Sequence, residues 1–168
     1  YHLEGKRLLA KANMNDGIKR NHVDEITDGV FVGDNMVAKD LEWLKRLDIT
    51  HIVNCTGLAS SSSVITLPNY HSDCGKFRYH NFSITNCADV LAGRRTALSH
   101  FGKVLDFINE AVNTGGKVLI HCLAGAHRAG TTGVAYLMYS EELDRHEALR
   151  RGKKARSAIH PIGSFRAL

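Results

Sequence analysis

The sequence predicts an α/β fold: a central mixed sheet, mainly parallel, of about five strands flanked by helices. Three observations predict it. Val118 to Ile120 and Ile49 to Cys55 are short apolar segments of the kind found in strands covered on both faces. Apolar residues at helical spacing lie on either side of them, Val37, Leu41, Leu44 and Leu47 in one segment and Phe101, Leu105, Ile108 and Val112 in another. Asp28-Gly29, set between Asp24–Thr27 and Val30–Val32, is a hairpin signal.

In chain order, residues 1–22 read as a basic and polar N-terminal extension, in which Leu3, Leu8 and Leu9 suit a short docked helix. From Val23 the hairpin is followed by a turn at Gly33-Asp34-Asn35 and one helix ending near Asp48. The strand Ile49–Cys55 leads into a loop, Gly57–Lys76, with serines at 60 to 63. That tract reads as a surface excursion or a substrate-facing rim. Phe77–Ile84 alternates well enough for a strand, and Thr85–Arg95 is a second loop. A helix over Thr96–Asn113 ends at Thr114-Gly115-Gly116, before the inner strand. Gly130–Tyr139 reads as the next helix, and Asp144 with Glu147 suits the start of a helix over Arg145–Ala155.

The chain has 168 residues, 43% of them hydrophobic, enough for one domain with a substantial core. Nothing approaches eighteen apolar residues in a row, so no membrane partner is expected. The net charge of +5 is modest and spread out; it suits an acidic or phosphorylated partner better than nucleic acid. The basic run Arg145–Arg156 reads as a solvated helix face or a docking surface. Cys55, Cys74, Cys87 and Cys122 lack the spacing of a zinc site, so no metal is expected. A reducing intracellular setting, cytoplasmic or nuclear, is the simpler reading. Cys55 belongs to the core, and Cys87 is a candidate disulfide partner for Cys122 under oxidation.

The chemistry concentrates in Lys117–Thr132, KVLIHCLAGAHRAGTT. It reads as strand, tight loop and helix. A loop of five residues between Cys122 and Arg128, curling into a helix N-terminus, can aim successive backbone N–H groups at one centre. Leu123, Ala124, Gly125, Ala126, His127 and Arg128 would form that anion cradle. The same donors favour the thiolate of Cys122, the nucleophilic form. Arg128 offers a planar fork for two phosphate oxygens. Gly125 lets the backbone turn without a Cβ in the way.

His121, Cys122, Gly125 and Arg128, with Gly130 and Thr131 after them, resemble the signature of the cysteine-based protein tyrosine phosphatase superfamily, and most closely its dual-specificity branch. The resemblance extends from about Val23 to Leu168, so residues 23–168 are expected to be the catalytic domain. It implies a metal-free, cofactor-free hydrolysis of phosphate monoesters through a phosphocysteine on Cys122. It also implies a general acid in the loop after Ile84. Asp89, 33 positions before Cys122, is the only carboxylate between Ile84 and Asp106. Asn86 falls where some relatives place the acid, and an amide cannot serve. His121 is expected to support the loop. Ala129 stands where the family usually has Ser or Thr, a hydroxyl that stabilises the departing thiolate; its absence predicts a slower second step. Thr131 matches a later family hydroxyl. His127 beside Arg128 suggests a pH-sensitive rim, and Ile162 replaces the family's usual Asn after the Pro.

The resemblance favours phosphorylated proteins as substrates, bearing phosphotyrosine and phosphoserine or phosphothreonine. A free phosphate or sulfate ion would occupy the same loop. The alternatives are a glucan or other non-protein phosphatase, and a phosphate-binding pseudophosphatase with weak turnover.

Overall fold

The computed structural model describes residues 21–57, 65–84 and 97–161. The hairpin forms as its sequence requires: β1 (Val23–Thr27) pairs antiparallel with β2 (Val30–Gly33), and Gly29 takes φ 72° in the turn. A register shift between Glu25 and Thr27 marks a bulge beside that turn. The chain then crosses to β3 (His51–Asn54), β4 (Arg78–Asn81) and β5 (Val118–His121). The sheet order is β1-β2-β5-β3-β4, with every pairing except the hairpin parallel. The five-stranded, mainly parallel sheet of the sequence reading is thus what the chain builds.

The segment between β2 and β3 corrects one expectation. The spacing of Val37, Leu41, Leu44 and Leu47 predicts a single helix there. The chain instead forms two short helices, α1 (Asn35–Lys39) and α2 (Leu41–Arg46). The break has a physical cause at Asp40. Its backbone N–H closes α1 on the Val37 carbonyl, and its carboxylate accepts the N–H groups of Glu42 and Trp43 to open α2. Asp34 caps α1 in the same way, accepting from Met36 and Val37. The periodicity survives because Val37 and Leu44 bury on the same face of the sheet with Phe31, Ile52 and Leu119.

On the opposite face lie α3 (Ala97–Asn113), α4 (Arg128–Ser140) and α5 (Arg145–Ala155). Phe101, Leu105 and Ile108 of α3 pack there with Val134 and Leu137 of α4, over Val53 and Ile120 of the strands. Val53 and Ile120 are partners in the β3–β5 ladder. The next pair, Asn54 and His121, points the other way. Cys55 and Cys122, one residue beyond, return to the helical face and join that core. Alternation along two parallel strands therefore decides which side of the sheet receives the sulfur. The Asp144 carboxylate accepts the Glu147 N–H at 2.9 Å and caps α5, while the Glu147 side chain pairs with Arg150. Asp144 thus starts the helix as the sequence suggests, while Glu147 turns to Arg150. Within the Gly57–Lys76 loop, Ser72–Cys74 form a short 3-10 turn that the sequence reading did not include. The serines at 60 to 63 and the extension before residue 21 lie outside the described residues.

Candidate active site

The candidate site is built where β5 ends and α4 begins. Cys122 follows the last ladder residue, His121, and is only 2% exposed. Residues 123–127 form the loop, and Arg128 is the first residue of α4. The positive end of a thirteen-residue helix is thereby aimed at the loop. Gly125 has φ 62°, and a Cβ there would lie 2.6 Å from the Gly33 carbonyl carbon and oxygen. Only glycine meets both demands, the left-handed backbone and the close approach of β2.

Three groups hold the loop's carbonyls from outside. The Asn35 N–H donates to the Leu123 carbonyl at 3.1 Å, and the His160 N–H to that of Ala126 at 2.9 Å. Beneath the middle of the loop sits Arg156, 3% exposed, whose Nε donates to the Gly125 carbonyl at 3.0 Å. Its Nη1 pairs with the Asp24 carboxylate at 2.7 Å and also donates to the Asn21 carbonyl at 2.8 Å. In the sequence, Arg156 belongs to the basic run Arg145–Arg156 that reads as a solvated helix face or a docking surface. The remainder of that description fits Arg150, Arg151, Lys153 and Lys154, which are exposed. Arg156 does not fit it, because it falls just after α5, where the chain turns inward.

Arg128 begins α4 half-buried, and its Nη1 donates to the Ile65 carbonyl at 3.2 Å. His121 is buried, and desolvation pushes its imidazole down to about 4, against the opposing pull of the Asp34 charge. Desolvation thus favours the neutral ring over the cation. His127 is exposed; its Nδ1 donates to the His160 carbonyl at 2.8 Å, and the two rings meet edge to face. The Thr131 hydroxyl donates to the His127 carbonyl at 2.7 Å, within the first turn of α4. Thr132, which the sequence reading did not single out, donates to the Arg128 carbonyl and accepts from Cys55 Sγ at 3.4 Å. Burial pushes the Cys55 thiol up to about 12, so it stays protonated beneath the site. Ala129 is fully buried. Asp89, Asn86 and Cys87 lie outside the described residues.

Beside the loop opens a groove of about 770 Å3, lined in part by His22, Asn35, Met36, Leu123 and Lys154, with Arg156 in its floor. Met36 and Leu123 are 59% and 42% exposed, unusually open for apolar side chains of this size.

A sulfur at the end of an inner strand, a loop with its carbonyls turned outward and an arginine opening the next helix thus stand together at one end of the sheet. A family model described as dual specificity phosphatase, catalytic domain, matches residues 30–168. The chain belongs to that family. Among curated dual specificity phosphatases, it is 35% identical over 152 residues to dual specificity protein phosphatase 26 of Homo sapiens, covering 88% of this chain and 66% of that protein. It is 32% identical over 140 residues to dual specificity protein phosphatase PHS1 of Arabidopsis thaliana, covering 83% of this chain and 14% of that protein. The chain thus spans just under two thirds of the one relative and a small part of the other. Among solved structures, the human tyrosine phosphatase-like serine/threonine/tyrosine-interacting protein superposes with TM-score 0.69 at 26% identity, covering 87% of this chain and 91% of that one. Human DUSP28 superposes with TM-score 0.65 at 22% identity, covering 87% and 88%, a likeness of fold. Cys122, Gly125 and Arg128 all fall within the matched domain.

Proposed function

We propose that this domain hydrolyses phosphate monoesters on proteins, at phosphotyrosine and at phosphoserine or phosphothreonine, through a phosphocysteine on Cys122. The observation that carries the proposal is the loop geometry. The carbonyls of Leu123, Gly125 and Ala126 each accept a hydrogen bond from outside the loop. In a trans peptide the N–H points opposite to the C=O, so the following amides face the other side. Those amides and the Arg128 fork would bind the equatorial oxygens of a transferring phosphoryl group, where negative charge must be stabilised.

In the first step the Cys122 thiolate attacks phosphorus, the S–P bond forms and the P–O bond to the substrate breaks. Asp89 gives its proton to the leaving oxygen. Water then attacks the phosphocysteine, Asp89 takes the proton back, and inorganic phosphate leaves with the thiolate restored. No metal has a part in either step. The groove bearing Met36, Leu123 and Lys154 gives a peptide chain a place beside its phosphate, which favours protein over small esters. A reducing intracellular setting keeps the sulfur available.

Hydrolysis of an aryl phosphate tests the reading. Cys122→Ser is expected to abolish turnover, and a variant as active as wild type would refute it. Asp89→Ala is expected to slow alkyl esters far more than activated aryl esters; equal slowing would reject Asp89 as the acid. A second reading, phosphate binding with weak turnover, is favoured by one observation. Ala129 places a buried methyl where the family usually has a hydroxyl. Tight phosphate binding without a stoichiometric burst of leaving group would select it.

A further inference from the structure

Arg156 is a charged side chain, buried under the catalytic loop, that the mechanism above does not use. Its fork reaches two consecutive loop carbonyls: Nε donates to that of Gly125 at 3.0 Å, and Nη2 to that of Ala124 at 3.5 Å. Nη1 is occupied on the far side by the Asp24 carboxylate and the Asn21 carbonyl. Holding the Ala124 carbonyl outward turns the Gly125 N–H inward, and holding the Gly125 carbonyl outward turns the Ala126 N–H inward. We infer that Arg156 is a positioning residue of the phosphatase site, orienting two central amides of the phosphate cradle, with Asp24 fixing its guanidinium.

Core stability alone gives a poor account of this arrangement. A buried ion pair is costly to desolvate, and well-packed apolar residues in its place are often neutral or stabilising. What apolar residues cannot do is accept the orientation of two carbonyls. Asn35 and His160 hold the flanking carbonyls of Leu123 and Ala126 through their backbone N–H groups. Arg156 is the holder whose chemistry depends on its side chain. Gly125 takes a left-handed backbone that few other residues adopt, so its carbonyl direction is a natural place for a side chain to act as anchor. The fit is close: a Cβ on Gly125 would lie 2.8 Å from Arg156 Nη2.

The inference rests on the phosphatase reading, and its test is built to fail separately. Cys122 in the 168-residue chain is alkylated with iodoacetate, an anion the cradle would draw in, and with neutral iodoacetamide. The ratio of the two rates reports the cradle without any turnover. Arg156→Ala is expected to lower that ratio about tenfold and to weaken protection by inorganic phosphate about tenfold, the size of one or two lost charge-assisted hydrogen bonds. Asp24→Asn is expected to act in the same direction by a smaller factor, and the double variant to lose no more than Arg156→Ala alone. A folded Arg156→Ala that melts earlier but keeps the wild-type ratio and phosphate protection overturns the inference. Should Arg156→Ala fail to fold, Asp24→Asn decides: an unchanged ratio overturns, a lowered ratio supports. An inactive wild type with an intact alkylation ratio would instead count against the phosphatase reading alone.

Discussion

His121 sets a pH limit on the stability of the fold. Its imidazole is held at about 4 in the folded chain by desolvation, against an ordinary value of 6.5. As pH falls, the unfolded chain takes up this proton near 6.5, while the folded chain resists until about 4. Stability is therefore full above 6.5 and is lost through that window. The two values give a loss of about 2 kcal/mol between pH 7 and pH 5, and about 3 kcal/mol once the pH is below the folded value. The perturbation is His121→Gln, which removes the titration. Urea unfolding of both proteins at pH 7 and pH 5 gives four free energies, and the difference of differences isolates His121, since the carboxylates titrate alike in both. The wild type is expected to lose about 2 kcal/mol more than the variant. Equal losses would show that the folded protein accepts the proton as readily as the unfolded chain, and that burial does not keep this ring neutral.

Gly125→Ala is expected to destabilise the domain by about 2 kcal/mol or more, because the backbone is left-handed and the nearest atoms are backbone. Thermal unfolding checks the first effect, and loss of phosphate inhibition checks the accompanying distortion of the loop. Ala129→Ser is expected to speed the slow phase after a burst while leaving the burst itself unchanged, as rapid-mixing kinetics would show; an unaltered slow phase would mean the hydroxyl is not what limits the second step. Asp144→Ala removes the cap of α5 and is expected to lower the denaturant midpoint of unfolding; an unchanged midpoint would show the cap to be dispensable.

The catalytic strand, loop and helix were legible because each announces itself locally: an apolar run, a small-residue loop with one glycine, then helical spacing. The hairpin was legible for the same reason at Asp28-Gly29. The division of α1 from α2 was not, because Val37 and Leu44 keep one periodicity across Asp40. Two aspartates six residues apart, Asp34 and Asp40, each at a helix start, were the signal available for it. Arg156 was missed for a deeper reason. Its partners Asp24 and Gly125 lie 132 and 31 residues away, and only the closed sheet brings them together. A basic run on a helix gives no local sign of the member that turns inward.

The outward anchors of the loop come from widely separated places in the chain: Asn35 opens α1, while Arg156 and His160 follow α5. A polypeptide ending at Ala155 would still carry the whole stretch from Cys122 to Arg128, yet lack the tethers on three of its carbonyls. The geometry of the loop thus depends on chain that lies beyond α5. A chain cut at Ala155 is expected to lose the iodoacetate preference of Cys122, and one that keeps it would show these tethers to be dispensable.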